Sequence, residues 1–306
     1  MTDLRFDGRV AVITGGGRGL GRAHALLLAA RGCRLVINDP GVSMAGDATD
    51  EGPAEALAAE IRAAGGEAVA NTDSVATPEG GEAIIGTALD AFGRVDILIH
   101  SAGNVRKAPL AEMSADDWKA VIDVHLNGGF NVVRPAFARM LDQGYGRIVL
   151  TSSVNGIYSN RNVANYSAAK GGLIALANTA AIEGFDRNVK ANCILPAAVT
   201  RMSEGIDTSK FPPMEPEMVA PVVAWLAHES CDVTGEMLIS AAGRVARAWV
   251  AESPGLYQPD WSIEDVAANM AEIRSMAAPL HFAPAPQGHL DHLFHSFAMV
   301  KPAPSE

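Results

Sequence analysis

Cysteine is scarce in this chain. Cys33, Cys193 and Cys231 are the only three in 306 residues, they show no paired spacing, and each sits among apolar neighbours. That usage argues against a disulfide-built secreted scaffold and reads as reduced core thiols, so a cytoplasmic protein is expected. Charge is also sparse. No run of five basic residues occurs and the net charge is −11, so nucleic acid and anionic membrane surfaces are poor partners. No apolar stretch is long enough to span a membrane, and residues 1–7 are too short and too charged for a secretion signal. The terminal Pro304-Ser305-Glu306 is not a peroxisomal address. Internal repeats and low-complexity tracts are missing too.

What remains is a chain that is 48% hydrophobic, enough to bury one large core. Its apolar runs alternate with helical patterns. Short strands are expected at Arg9–Thr14, Arg34–Asn38, Glu67–Asn71, Val95–Ile99, Arg147–Ser152, Val189–Leu195 and Met237–Ser240, with helices between them. The pattern implies an α/β fold: a Rossmann-type, doubly wound, seven-stranded parallel sheet with helices on both faces. Helix starts are marked by Thr77 before Pro78, by Ser114 with Asp117, and by Ser262. Trp118, Val121, Ile122 and Val124 are expected to face inward.

The first strand runs into Thr14-Gly15-Gly16-Gly17-Arg18-Gly19-Leu20-Gly21 and then a helix. Strand, glycine loop and helix together place backbone N–H groups and a helix N-terminus against a pyrophosphate. The second strand leads into Asp39, eighteen residues past Gly21, where a carboxylate meets the adenosine ribose hydroxyls. That carboxylate would repel a 2′-phosphate, which favours NAD over NADP. Arg18 argues the other way, and as a plain loop cation argues neither.

Further on, Tyr166 and Lys170 lie four residues apart in an apolar helical stretch, hence on one face. Ser153 lies thirteen residues before Tyr166, at the end of a buried strand. An ammonium beside a phenol is expected to lower the phenol's pKa.

Ser153, Tyr166, Lys170 and the Gly15/Gly19/Gly21 loop resemble the short-chain dehydrogenase/reductase family over roughly residues 5–245. The resemblance implies that Tyr166 is the acid/base for a carbinol–carbonyl pair, that Ser153 holds the reacting oxygen, and that Lys170 binds the nicotinamide ribose. It also implies a cofactor site that includes Leu20, Asp73 beside the adenine, Ser74, Val75, the turn Ser101-Ala102-Gly103, Pro196, and Val199 at the carboxamide. Two departures stand out. His100-Ser101 replaces the family's two Asn residues, and His125 replaces a catalytic Asn that holds a water chain to the Lys. His125 either takes over that relay or is a satisfied core histidine.

Residues 1–245 are read as the catalytic domain, and 246–306 as an extension serving as dimer arm or active-site cover. The insert 40–53 and the loop 200–214 are expected beside the adenosine and the substrate. Trp249, Leu256, Tyr257 and Trp261 could wall an elongated pocket, and Arg106, Lys107, Arg161 and Arg201 could meet phosphates. His289, His292 and His295 lack a metal-site pattern and read as exposed helix histidines. Several strings, among them Asn38-Asp39-Pro40-Gly41 and Ala70 to Val75, resemble one branch of the family, the dehydrogenase domains of peroxisomal multifunctional enzyme type 2. The resemblance implies NAD-dependent oxidation of a bulky apolar alcohol, a 3-hydroxyacyl-CoA or a hydroxysteroid, by a homodimer or homotetramer. An NADPH-dependent ketoreductase and a catalytically silent nucleotide-binding regulator remain as alternatives.

Overall fold

A computed structural model of the chain describes residues 3–41, 52–200 and 210–300. Apolar runs with β-branched residues build strands β1 (Val10–Thr14), β2 (Arg34–Asn38), β3 (Ala68–Asn71), β4 (Ile97–His100), β5 (Gly146–Thr151), β6 (Val189–Ala197) and β7 (Met237–Ala241). All seven are parallel, in the order β3-β2-β1-β4-β5-β6-β7. Parallel strands are covered on both faces, which is why these runs are apolar throughout rather than alternating. Successive side chains of β1 enter opposite cores: Val10 and Val12 join one cluster, Ala11 and Ile13 the other.

The first core lies under α3 (Pro78–Phe92), α5 (Gly128–Gln143) and α7 (Ala164–Glu183). The second lies under α1 (Gly19–Ala30), α2 (Pro53–Ala63) and α8 (Ala220–Ala227). Between α3 and α5, a helix α4 (Ala115–Ile122) runs into a π-helical turn at Asp123–Asn127, and a short α6 (Asn155–Tyr158) follows β5. The cap signals hold. Thr77 accepts from Gly80 N–H, Ser114 from Asp117 N–H, and Ser262 forms a capping box with Asp265.

The sheet has eight strands, not the expected seven, and the eighth is antiparallel. β8 (Arg244–Ala248) folds back on β7 through Ala242-Gly243, with φ of +48° and +80°. Two positive-φ residues between paired strands make the tight hairpin whose twist matches the sheet. Ala242 is an unusual occupant, so the turn carries no Asn-Gly or Asp-Gly signal. β8 spans the expected boundary at residue 245. Trp118 also departs from expectation: it is 41% exposed, whereas Val121 is buried.

The extension adds α9 (Ile263–Ile273) and α10 (Leu290–Ala298) and is closed on itself by a bridge between Glu252 and Leu280. It packs over the C-terminal end of α7 and the start of β7. There Trp249, Phe282 and His292 line a cavity of about 410 Å³ with Ile174, Ile182 and Met237. Ile182 is sixteen residues along α7 from Tyr166, about 24 Å at the helical rise. Trp249 thus walls a space that begins at Ile174, about 12 Å along the same helix from Tyr166. His292 keeps its side chain 41% exposed while it lies 3.1 Å from Glu252 and edge-on to Phe282. Among the described residues no group of three His, Cys, Asp or Glu side chains could hold a metal, and no helix is long and apolar enough to cross a membrane.

Candidate active site

Strand order reverses between β1 and β4, so a crevice opens beyond their carboxyl ends. The glycine loop follows β1 there. Gly15 sits at φ +62°, and a Cβ on it would stand 2.8 Å from the Ala102 backbone. A Cβ on Gly21 would stand 2.2 Å from the Gly15 carbonyl oxygen. Only bare backbone lets loop, α1 and the Ser101-Ala102-Gly103 turn meet this closely. Leu20 lies in the first turn of α1, and Arg18 occupies the extended position before it. Asp39, at the end of β2, is nearly buried; its carboxylate accepts from Gly17 N–H at 3.2 Å and Gly41 N–H at 3.0 Å. A glycine cradle with a fixed carboxylate eighteen residues on fits a dinucleotide with free ribose hydroxyls.

Beside it, Asn71 holds the Asp73 carboxylate at 2.7 Å, Ser74 accepts from Ala76 N–H, and the buried Val75 offers its carbonyl to Asn131. Ser101 bonds the hydroxyl of Thr151 at 3.0 Å. Pro196 belongs to β6, while Val199 is half-exposed and its N–H donates to the Met214 carbonyl at 2.7 Å. That N–H is already engaged by a residue fifteen positions along the chain. Residues 42–51 and 201–209 lie outside the described residues, and with them most of the expected adenosine insert, Arg201, Met202 and Ile206.

Ser153, Tyr166 and Lys170 converge at the end of β5. Ser152 Oγ donates to the Lys170 carbonyl at 2.7 Å, which pins α7 against the strand end. Ser153 lies close enough to the Tyr166 phenol to act on it, and its own Oγ accepts from Asn155 N–H at 3.1 Å. Lys170 Nζ donates to the Thr151 carbonyl and lies 5.4 Å from the centre of the Tyr166 ring. Complete burial pulls the Lys170 ammonium down to about 7. Burial raises the Tyr166 phenol, and Ser153 draws it partly back. The expected lowering of the phenol by Lys170 is thus reversed in this structure. Desolvation dominates the shift, with Ser153 opposing it and no contribution from Lys170.

His125 sits in the π turn, fully buried, with Nε2 2.9 Å from the Asn104 carbonyl and Nδ1 without a partner. Burial, then the charge of Lys170, keep it well below the ordinary imidazole range. A Cβ on Gly103 would stand 2.5 Å from His125 Cε1, so the turn glycine makes room for this ring.

Asn165 was missed from sequence. It is fully buried, its side-chain amide donating to the Arg106 and Asp117 carbonyls while its oxygen accepts from Tyr166 N–H. It ties the loop after β4 and the helix α4 to the start of α7. The only signal was a polar residue directly before Tyr166. Of the expected phosphate cations, Arg106 lies 3.7 Å from Asp117, and Arg161 is exposed.

Residues 9–210 match the short chain dehydrogenase family. The chain is 50% identical over 253 residues to peroxisomal multifunctional enzyme type 2 of Drosophila melanogaster, covering 82% of this chain and 42% of that protein. It is 42% identical to a putative short-chain type dehydrogenase/reductase of Mycobacterium tuberculosis, covering 88% of this chain and 95% of that one. In structure it resembles the full-length Drosophila enzyme, with a TM-score of 0.79, 38% identity, and coverage of 96% of this chain and 49% of that one. It also resembles a short chain dehydrogenase from Mycobacterium avium, with a TM-score of 0.74, 36% identity, and coverage of 92% and 98%. The chain thus spans less than half of the multifunctional Drosophila relative and nearly all of the mycobacterial ones.

Proposed function

This chain belongs to the short-chain dehydrogenase/reductase family, and on that premise we propose that it interconverts a secondary alcohol and a ketone with a nicotinamide dinucleotide, using NAD in preference to NADP. The observation that carries the proposal is Ser153 set beside the Tyr166 phenol, backed by a buried Lys170, at the mouth of a glycine cradle. Gly15, Gly19, Gly21 and the Ser101-Ala102-Gly103 turn would hold the dinucleotide, and Asp39 its adenosine ribose. When bound, it accepts or supplies hydride at the nicotinamide ring. Ser153 orients the substrate oxygen while Tyr166 takes or gives its proton. Lys170, poised near neutrality, refills the tyrosine. The unpartnered Nδ1 of His125 supports a relay role behind it.

The NAD preference rests on Asp39, whose carboxylate is held by two backbone N–H groups and so meets a 2′-phosphate with fixed negative charge. The proposed substrate is bulky and apolar, a 3-hydroxyacyl-CoA before a hydroxysteroid. Val154, Ile157 and Tyr158 stand exposed just past Ser153, Phe211 is half-exposed, and Met214 bonds Val199. Multifunctional relatives in yeast and Neurospora crassa are named peroxisomal hydratase-dehydrogenase-epimerase, which supports an acyl chemistry without assigning it to this chain. A homo-oligomer is proposed from the exposed Trp118, Phe130 and Phe185, with the extension as a second contact. The three buried free cysteines support a reducing compartment such as the cytoplasm.

The test is a panel of alcohols with NAD followed by cofactor absorbance: short and long hydroxyacyl-CoAs, hydroxysteroids and small sugars. Preference for a sugar would overturn the substrate reading. No turnover on any alcohol or ketone, with the dinucleotide bound, would favour a silent nucleotide-binding protein.

A further inference from the structure

His100 ends β4 and is almost wholly buried. Its Nε2 lies 3.1 Å from the carbonyl oxygen of His125, and a carbonyl can only accept, so the proton sits on Nε2. Burial, reinforced by the charge of Lys170, brings the imidazole down to about 4. The ring is neutral at working pH and Nδ1 keeps its lone pair. Thr14 Oγ1, 2.8 Å away, must then donate to Nδ1. The same oxygen accepts from Ala102 N–H at 3.3 Å. Every direction is fixed: Ala102 N–H to Thr14, Thr14 O–H to His100, His100 Nε2–H to the His125 carbonyl.

That carbonyl belongs to the π turn, where Gly128 N–H reaches back to the Asp123 oxygen. The His125 ring in turn meets the Asn104 backbone, next to Gly103. The hydrogen bonds thus run from the end of β1, through His100, to the turn behind Tyr166, and back to the cradle.

We infer that His100 is a positioning residue, a strut from the end of β4 that holds the His125 turn, and with it the imidazole packed on Tyr166, while Thr14 fixes the tautomer that keeps the proton on Nε2. Its kinetic consequences rest on the oxidoreductase reading above; its geometry does not. The two ends can be separated, because an Asn oxygen stands where Nδ1 does and a Gln nitrogen where Nε2 does.

His100→Gln keeps the donor to His125 and gives up Thr14, whereas His100→Asn keeps Thr14 and releases the His125 carbonyl. The Gln variant should retain kcat close to the wild type. The Asn variant should lose roughly tenfold in kcat and shift its pH profile, as sub-ångström misplacement near reacting groups does. NAD affinity, titrated without substrate, should change little in either, and thermal melts establish that both fold. Equal losses in the two variants, a loss confined to NAD affinity, or one that follows melting temperature would overturn the inference. Imidazole nitrogen NMR of the wild type at neutral pH supplies a second arm that needs no substrate. His100 should be neutral with its proton on Nε2, and a charged ring or an Nδ1–H tautomer would overturn the strut. Absence of turnover on the alcohol panel would count against the dehydrogenase reading, while the NMR arm still decides this one.

Discussion

The imidazole of His125 meets the ring of Tyr166 edge-on, with centroids 5.2 Å apart and planes at 87°. Lys170 stands on the same ring's flank, 5.4 Å from its centre. Three groups able to carry a proton are thus packed together without a carboxylate among them. Burial holds His125 neutral and Lys170 near neutrality, so one charge, not three, occupies this space at working pH.

Tyr166→Phe keeps the ring and its contact with His125 and removes only the hydroxyl beside Ser153. Turnover should fall by about 10²–10⁴, the contribution of a positioned acid/base, while NAD binding stays close to wild type. Steady-state rates beside a fluorescence titration check it. A variant retaining most of its activity would remove Tyr166 from the chemistry.

The relay proposed for His125 separates two substitutions. His125→Asn restores a polar group able to hold water and should remain active. His125→Leu should slow turnover by roughly tenfold, short of the full contribution of an acid/base. If the Leu variant matches wild type across pH, the ring is a packing element bonded to Asn104 and nothing more.

Much of this site was legible because backbone requirements write themselves into sequence. Gly15 and Gly21 must lack side chains, and a Tyr and Lys one helical turn apart must share a face. What stayed hidden lies in the third dimension. The hairpin at Ala242-Gly243 forms without an Asn-Gly signal because sheet pairing of Arg244–Ala248 imposes the positive φ. Arg147, near the start of an apolar strand, is buried with its guanidinium on the carbonyls of its neighbour Gly146 and of Asn188, His228 and Glu229, the last three far along the chain. His24 looks like an ordinary position of α1, yet it is buried with both ring nitrogens unpartnered, and burial takes it to about 3. Polar residues satisfied or stranded by remote neighbours leave no local pattern to read.

Asp39→Ala should weaken NAD binding by about tenfold, the worth of a charged hydrogen bond to a ribose hydroxyl, and should relax discrimination against NADP. It should also cost stability, since the buried N–H groups of Gly17 and Gly41 would lose their acceptor. Paired kinetics with both dinucleotides decide it. Equal or better efficiency of the wild-type protein with NADP would overturn the NAD assignment and give Arg18 the larger role.

Lys170 gives a prediction about stability and pH. Its ammonium falls from 10.5 to about 7 on burial, so between those values the unfolded chain binds a proton that the folded chain has released. Stability should therefore rise with pH through this window and be lowest, as far as Lys170 is concerned, below pH 7. The buried histidines titrate below this range, while the raised thiols of Cys33 and Cys193 come into play only above their ordinary value of 9. Measurements from pH 7 to 9 isolate the lysine. Lys170→Met keeps most of the volume and removes the buried charge. It should melt at higher temperature than the wild type at pH 7, by a margin on the order of a few kcal/mol, and the margin should narrow towards pH 9. Catalysis would be lost in the same variant. Parallel melting curves for the two proteins across this range would mean that Lys170 pays no burial penalty and that its charge is matched by a group the folded chain supplies.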